Sequence, residues 1–258
     1  MTRPLLRQLL PAATLFGLLA AWEILVRVAQ IPDYTLPAPT RIAATLWTNL
    51  PSLAGSWWFT LKITLGALSL ACAGGVLIAA AFALSPALEL ALLPVAIILQ
   101  VTPVVAIAPL ILIYIESTTA ALLLCAWIVA FFPILSNTLA GLRATDPNLR
   151  DLFRLYRATP LQRLALLLAP SALPYFIAGL RISGGLSLIG AVTAEMVAGA
   201  AGRETGLASR ILEASFRTET PKMFAALTLL VLTGLLIYLG FNLLSRRLLG
   251  RWHASEQR

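Results

Sequence analysis

Side chains that could carry catalysis are scarce in this sequence. The only histidine is His253, in the charged C-terminal tail, which argues against Ser–His and Cys–His nucleophile pairs and against histidine-rich metal sites. Glu23 and Glu195 lie in apolar segments, and neither has a partner carboxylate at catalytic spacing. The sequence therefore predicts no catalytic residues and no metal site, and it argues against an intramembrane enzyme.

Sites for a nucleotide or another cofactor are equally hard to find. The sequence has no phosphate loop of the form GxxxxGK followed by Ser or Thr. Cys72 and Cys125 both fall in apolar segments, which is typical of small core residues and not of a disulfide or metal site. We expect no bound cofactor, and active transport would draw its energy from another subunit or from an ion gradient.

The polar residues within the apolar segments favour a role in passing a solute through a membrane. Three prolines in residues 90–114 predict kinks, whose freed carbonyls need neighbouring donors or a water-lined path. Close helix packing and, for Glu195, anchoring at the membrane interface are the competing interpretations. The residues predicted to line a pathway are Gln100, Thr102, Pro103, Asn137 and Glu195.

These residues must be positioned by membrane-spanning helices. Hydrophobic residues make up 59% of the 258, only 12% are charged, and the mean hydropathy is +0.89. A span needs about 20 mostly apolar residues. We therefore predict an all-α integral membrane protein with one transmembrane permease domain, residues 1–258. Its six spans are expected at 9–31, 60–84, 90–114, 119–142, 176–199 and 223–244.

The net charge of +8 is distributed as in a membrane protein, so no nucleic-acid partner is expected. The first span is read as uncleaved, with a removable signal peptide as the alternative. The positive-inside rule then places both termini and the loop 143–174 in the cytoplasm. The cations that follow the fifth span are roughly balanced by acidic neighbours. The cytoplasmic clusters are Arg3 and Arg7; Arg143, Arg150, Arg154, Arg157 and Arg163; and Arg246, Arg247, Arg251 and Arg258.

Two shorter segments are predicted outside the spans. Thr40 is expected to cap an interfacial helix over 41–50. The basic, amphipathic stretch DLFRLYRATPLQRLALLLAPSALP, residues 151–174, offers Phe153, Tyr156, Leu161 and Leu164 as apolar anchors. Such anchors favour docking in a partner's groove, and a helix bound to membrane lipid is the alternative.

This stretch and its surroundings resemble binding-protein-dependent ABC importer permeases of the type I fold. The family's loop reads Glu-Ala-Ala, three residues, Gly, nine residues, Ile-x-Leu-Pro. The flanking AFFPILSNTLAGLRATDPNLRDLF and APSALPYFIAGLRISGGLSLIGAVTAEMVAG resemble the sulfonate, taurine, nitrate and pyrimidine-precursor subfamily. LPAPTRIAATLW and VTPVVAIAPLILIY agree with it, so the resemblance covers Leu36 to Trp252.

The resemblance implies that this loop is a coupling helix that docks in an ATPase subunit. Asp151 stands at the family's glutamate, Leu152 and Phe153 at its alanines, and Arg157 at its glycine, which permits a turn in the family. If that site requires positive φ, arginine costs about 1–2 kcal/mol there. The implied coupling residues are Asp151, Leu152, Phe153, Arg154, Tyr156, Arg157, Leu161 and Pro170.

The resemblance also implies the partners and the location. It implies a homodimer in the bacterial inner membrane, with two ATPase subunits and an extracytoplasmic binding protein that delivers a sulfonate, nitrate or pyrimidine-precursor-like solute. A gradient-driven secondary carrier and a membrane scaffold remain as alternatives from the residues alone. A carrier would need no ATPase.

Overall fold

The computed structural model describes residues 3–202 and 206–249, except for the side chains of 3–9 and 249. The predictions that rest on Arg203, Glu204, Arg251, His253 and Arg258 lie outside these residues. The described chain is mainly helical, as predicted. Its helices are α1 (Arg3–Val28), α2 (Pro39–Leu84), α3 (Pro86–Val101), α4 (Val104–Tyr114), α5 (Thr118–Arg143), α6 (Pro147–Leu155), α7 (Pro160–Arg163), α8 (Ala169–Ala200), α9 (Leu207–Phe216) and α10 (Thr220–Leu249).

The packing centre is α5, which lies against α8 on one side and α2 on the other. Small residues allow these helices to approach closely, as expected where packing replaces the hydrophobic effect. A Cβ on Gly141 would lie 2.7 Å from Cβ of Tyr175 and 2.8 Å from Cα of Ala172. A Cβ on Gly190 would lie 2.9 Å from Cα of Ala126. Both glycines therefore set the α5–α8 crossing.

Five helical segments are long and apolar enough to cross a membrane, and a bent helix pair supplies a sixth. Four predicted spans correspond to Leu10–Val28, Thr118–Arg143, Pro160–Ala200 and Thr220–Leu248, although the helix of the fifth extends well before residue 176. The prediction of a separate interfacial helix over 41–50 was wrong. Residues Pro39–Leu84 form one helix of 46 residues that includes the second span and contains Pro51.

The start of α2 is capped by a distant side chain and not by Thr40. Ala38 is the N-cap residue and makes no side-chain capping bond. Instead, the Thr40 N–H donates to Oε2 of Glu23 at 3.0 Å, and the Thr40 hydroxyl donates to Oε1 at 2.8 Å. The carboxylate thus receives two hydrogen bonds beside the first turn of α2. This contact, together with the Arg27 ion pair at 2.6 Å, accounts for the charges in the first span.

The predicted third span, 90–114, is not a single helix. α3 and α4 meet at an angle of 100°. Thr102 has φ −74° and ψ 120°, which is the extended conformation favoured for a residue before proline. Pro103 follows with φ −64° and ψ 117° and lacks the N–H that would continue the ladder. The helix therefore changes direction as predicted, but it ends and restarts at residues 102–103 instead of bending as one kinked helix.

Candidate coupling surface, solute cleft and buried carboxylate

The coupling loop begins with a well-capped short helix. The Asp146 side chain accepts a hydrogen bond from the Asn148 N–H at 2.8 Å, and Pro147 occupies the first turn of α6. Asp151, which stands at the family's glutamate, lies in the middle of α6. It pairs with Arg154 at 3.7 Å on an exposed surface, so the capping acid is Asp146.

The end of α6 forms a Schellman motif with arginine in the left-handed position. Arg157 has φ +51°. Its N–H donates to the Arg154 carbonyl, and the Ala158 N–H donates to the Phe153 carbonyl, both at 2.9 Å. Positive φ, which the sequence left as a condition at the family's glycine position, is present here. The loop makes this turn with arginine at a conformational cost of about 1–2 kcal/mol.

The apolar side chains that project from the loop differ in part from the predicted anchors. Leu155 and Tyr156 are each 80% exposed, and Leu161 is 69% exposed. Phe153 is half-buried and packs against the main core cluster, so it supports the loop from inside. Leu155 was not predicted, because its position beside Tyr156 is decided by where α6 ends.

A shallow cleft of about 410 Å³ separates α6 from the segment that follows it. Its lining is mostly apolar and includes Tyr156. Leu166, which is 68% exposed, also lines it and was not among the predicted anchors. The lining residues are Leu152, Phe153, Tyr156, Ala158, Gln162 and Leu166.

Backbone contacts fix the loop to the ends of the spans. A terminal nitrogen of Arg150 donates to the carbonyls of Leu142 and Arg143 at 2.9 and 2.8 Å. These are carbonyls of the last turn of α5, which lacks intrahelical donors for them. Thr159 and Gln162 form a reciprocal capping box at the start of α7. α6 and α7 are therefore held to the bundle by specific bonds.

The predicted coupling residue Pro170 lies just after an irregular turn. Residues 164–168 form a π-helical turn, closed by the Ala169 N–H donating to the Leu164 carbonyl. Pro170 is exposed in the first turn of α8 and has no N–H to donate. The turn joins α7 to α8 as one continuous helical path across Pro160–Ala200.

A cleft of about 350 Å³ lies at the break between α3 and α4. Three of the predicted pathway residues, Gln100, Thr102 and Pro103, line it. The Thr102 hydroxyl donates to the Ile98 carbonyl at 2.7 Å, which satisfies a backbone group near the break. The remaining lining comes from neighbouring residues of α3 and α4 and from Ile128, Val129, Pro133 and Leu186.

Asn137 does not line this cleft. Its side-chain amide donates to the Pro133 carbonyl at 2.8 Å, within α5. A Cβ on Gly179 would lie 3.0 Å from its Cβ, so Asn137 lies at the α5–α8 crossing. The packing interpretation therefore fits Asn137 better than the pathway interpretation does.

Glu195 is also absent from the cleft, and its side chain is wholly buried. Its Oε2 accepts from the Thr60 hydroxyl and from the Ala208 N–H, each at 3.1 Å. The Leu207 N–H donates to the Thr60 oxygen at 2.9 Å. A carboxylate and a hydroxyl from two spans thus cap the first turn of α9. In this conformation Glu195 ties α8 to α9 and is not reached by solvent.

The fit around this carboxylate requires glycine at position 206. A Cβ there would collide with the Thr60 hydroxyl and with both Glu195 carboxylate oxygens. Within the described residues, Oε1 of Glu195 has no hydrogen-bond partner. Neither Thr60 nor Gly206 was singled out from the sequence, because Thr60 lies 135 positions from Glu195 and Gly206 approaches the carboxylate only where the chain turns into α9.

A surface pair extends this contact along α9. Arg210 donates to the Ser56 hydroxyl at 3.1 Å and to a Glu213 carboxylate oxygen at 2.9 Å. The Arg210 hydrogen bond, with Arg217 and Lys222 nearby, holds the pKa of Glu213 below its usual range. Glu213 thus neutralises part of the positive charge of Arg210 and Arg217.

Comparison with known proteins assigns the chain to a family. Residues 71–250 match the family of binding-protein-dependent transport system inner membrane components. The chain belongs to this family of ABC importer permeases. The matched range contains the coupling loop, the α3–α4 cleft and the buried Glu195.

Named relatives agree with this assignment over nearly the whole chain. A probable ABC transporter permease protein of Haemophilus influenzae is 32% identical, over 94% of this permease and 97% of the relative. A riboflavin transport system permease protein of Chloroflexus aurantiacus is 36% identical, over 94% and 89%. A formylaminopyrimidine transport permease protein of Halalkalibacterium halodurans is 30% identical, over 93% and 94%.

A solved structure shows the same fold. An amino acid ABC transporter crystallised with histidines aligns with a TM-score of 0.63, over 80% of this permease and 98% of that chain, at 19% identity. The protein is an integral inner-membrane permease component of a binding-protein-dependent ABC importer. Permeases of this family work with an ATPase and a solute-binding protein.

Proposed function

We propose that this permease, as one transmembrane domain over residues 1–258, forms a homodimer that two separate ATPase subunits drive. The carrying observation is the pair of apolar side chains, Leu155 and Tyr156, displayed at the end of α6. ATP-driven closure of the ATPase subunits would move the two loops together, and the helices would alternate between outward-facing and inward-facing states. An extracytoplasmic solute-binding protein, docked on the permease, would deliver the solute.

The solute we favour is a small heterocycle, with sulfonates and nitrate as the other members of the proposed class. Relatives are named for riboflavin and formylaminopyrimidine, and more distant ones for aliphatic sulfonates, taurine and nitrate. None of the ten residues lining the α3–α4 cleft is charged, whereas Gln100 and Thr102 offer hydrogen bonds. Such a lining suits an uncharged ring better than an inorganic anion.

Transport of a riboflavin probe into proteoliposomes tests the proposal against the gradient-driven carrier. The vesicles contain the full complex with its ATPase and binding protein. Uptake should require ATP in the vesicle lumen, where the ATPase subunits of the importing complexes lie. An imposed proton or sodium gradient should not replace ATP. Taurine, nitrate and formylaminopyrimidine serve as parallel probes for solute class. Gradient-driven uptake without ATPase would contradict the proposal.

The same assay tests whether the cleft is the pathway. Val104 lines the cleft, so Val104→Trp should fill much of its width and lower uptake at least about tenfold while the complex still assembles. Leu236→Trp is the control, since Leu236 is 63% exposed on α10. Ala108, also on α4, is fully buried, so a bulky residue there would report packing and not the pathway. Equal uptake by the two tryptophan variants would place the pathway elsewhere.

Cytoplasmic termini are the orientation we propose. Three cations in and after α9 are paired within their own segment: Arg210 and Arg217 with Glu213, and Lys222 with Glu219. On the coupling-loop side, Arg157 and Arg163 form no ion pair with any residue that the structure describes. The excess positive charge therefore lies on the coupling-loop side, which is the cytoplasmic side by the positive-inside rule.

Cysteine labelling in spheroplasts measures this orientation. In a background lacking Cys72 and Cys125, a cysteine at Glu116 should react with an impermeant maleimide in intact cells. A cysteine at Arg247 should react only after permeabilisation. Both native positions are exposed at opposite ends of the bundle. Reaction of the Arg247 site in intact cells would reverse the orientation.

A further inference from the structure

A basic cleft of about 240 Å³ lies at the coupling-loop end of the bundle, apart from the α3–α4 cleft. Its polar lining consists of Arg143, Arg150, Arg163 and Glu89, which come from four different helices. Buried Phe82 and Leu168 close its inner end. The coupling loop and the ends of the spans thus share one cavity.

The cleft holds more positive charge than its own acid can neutralise. Glu89, itself nearly buried, is engaged by Arg143 in an ion pair between α3 and α5. The Nε of Arg150 is buried and has no hydrogen-bond partner among the described residues. Arg163 forms no ion pair within the described part of the chain. The backbone acceptors of Arg150 engage only a terminal nitrogen, so an oxygen anion in the cleft would meet its buried Nε and the guanidinium group of Arg163.

The position of the cleft indicates where that anion comes from. It lies where α2 and α5 end and α3 begins, which is the level of the headgroups on the coupling-loop side. Basic pockets between membrane helices on the cytoplasmic side suit anionic lipid headgroups. Guanidinium groups are the preferred partners of phosphate, because their N–H groups match its oxygens in pairs.

We propose that this cleft binds the phosphate group of an anionic membrane lipid. Arg150 belongs to α6, Arg163 ends α7 and Arg143 ends α5, so one phosphate would join the coupling loop to the bundle. The lipid would hold the loop at a fixed height below the spans. This proposal uses the orientation proposed above and does not depend on the transported solute.

Native mass spectrometry of the full chain in micelles tests the site. The probe is phosphatidylglycerol, with zwitterionic phosphatidylcholine as the lipid control. Arg163→Gln should weaken phosphatidylglycerol retention about fivefold, the effect expected for one lost cation near the membrane surface. Arg163→Lys, which keeps the charge, should retain most of the binding. Arg247→Gln is the matched control, an exposed arginine at the same end of the bundle that does not line the cleft.

Thermal unfolding of the lipid-free variants checks that Arg163→Gln is folded, and a second arm identifies the source of the phosphate. Stabilisation of the wild type by phosphatidylglycerol, lost in Arg163→Gln and kept in Arg247→Gln, would support the lipid site. Equal losses in the two glutamine variants would overturn the site. Stabilisation by millimolar inorganic phosphate, with none from phosphatidylglycerol, would overturn the lipid as its source.

Discussion

Replacing both Leu155 and Tyr156 with alanine should abolish association with the ATPase and ATP-dependent uptake. Each side chain is 80% exposed at the end of α6 and has little to lose within its own chain. A buried interface anchor of this kind contributes about 2 kcal/mol, so losing two should weaken docking by roughly a thousandfold. The measurement is ATPase recovered with the purified permease, together with uptake in proteoliposomes.

Two further variants show whether the effect belongs to docking. Phe216→Ala removes an exposed aromatic, 78% accessible, at the end of α9 on the opposite side, and should leave ATPase recovery unchanged. Arg157→Gly relieves the left-handed strain at φ +51° and should raise the unfolding free energy by about 1 kcal/mol while keeping uptake. Normal ATPase recovery by the double variant would show that α6 is not the coupling helix.

Phe153 is a poor substitute for Leu155 in this experiment. It shares a face with Tyr156, as its spacing predicts, but it packs against the core cluster of α2, α5 and α8. Truncating it would remove support for the loop as well as any contact with a partner. A loss of uptake in Phe153→Ala would therefore not separate docking from folding.

Glu195→Ala should destabilise the permease by about 2–4 kcal/mol, because the buried Ala208 N–H at the first turn of α9 loses its acceptor. The Thr60 hydroxyl also loses its bond to Glu195 and is left with the Ser56 carbonyl at 3.2 Å. The tie between α8 and α9 would be lost with these bonds. Thermal unfolding of the purified chain measures the change, and the midpoint should fall by several degrees, roughly 5 °C or more.

Matched variants separate this buried cap from an ordinary surface charge. Glu195→Gln keeps a side-chain carbonyl as acceptor, so it should cost less than the alanine variant. Gly206→Ala should destabilise as well, because its Cβ would meet the Thr60 hydroxyl and the carboxylate. Glu213→Ala removes a partly exposed carboxylate from the ion pairs of α9 and should cost at most about 1 kcal/mol. If the alanine variants at 195 and 213 unfold alike, the carboxylate of Glu195 is not a cap.

The buried carboxylate also indicates how movements could pass across the bundle. α9 contacts α8 and α10, and its first turn is bonded to Glu195 and to Thr60 of α2. A shift of α8 relative to α2 would therefore alter the cap of α9. The coupling loop is joined to the other end of α8, because one helical path runs from Pro160 to Ala200. One helical segment thus joins the proposed ATPase side to the opposite side.

Much of the architecture could be predicted from the sequence, because its causes are local. Apolar segments of sufficient length define spans, and the arginine clusters predict which ends of the spans face the cytoplasm. The break near residue 102 follows from Pro103 and its effect on the preceding residue. The family pattern raised positive φ at Arg157 only as a condition, and the backbone of the short loop decided it, with φ +51°.

The roles of individual side chains were decided by tertiary contacts between residues far apart in the chain. Glu195 looked like a pathway or interface residue, yet its partner Thr60 lies 135 positions away and makes it a buried cap. Phe153 and Leu155 are both apolar residues of one short helix, and only the packing of that helix buries one and displays the other. Burial and long-range hydrogen bonds depend on which helices meet. The sequence determined which segments are apolar enough to span the membrane and in what order they follow one another. The packing of α2, α5 and α8 decided which side chains remain exposed and free to contact a partner.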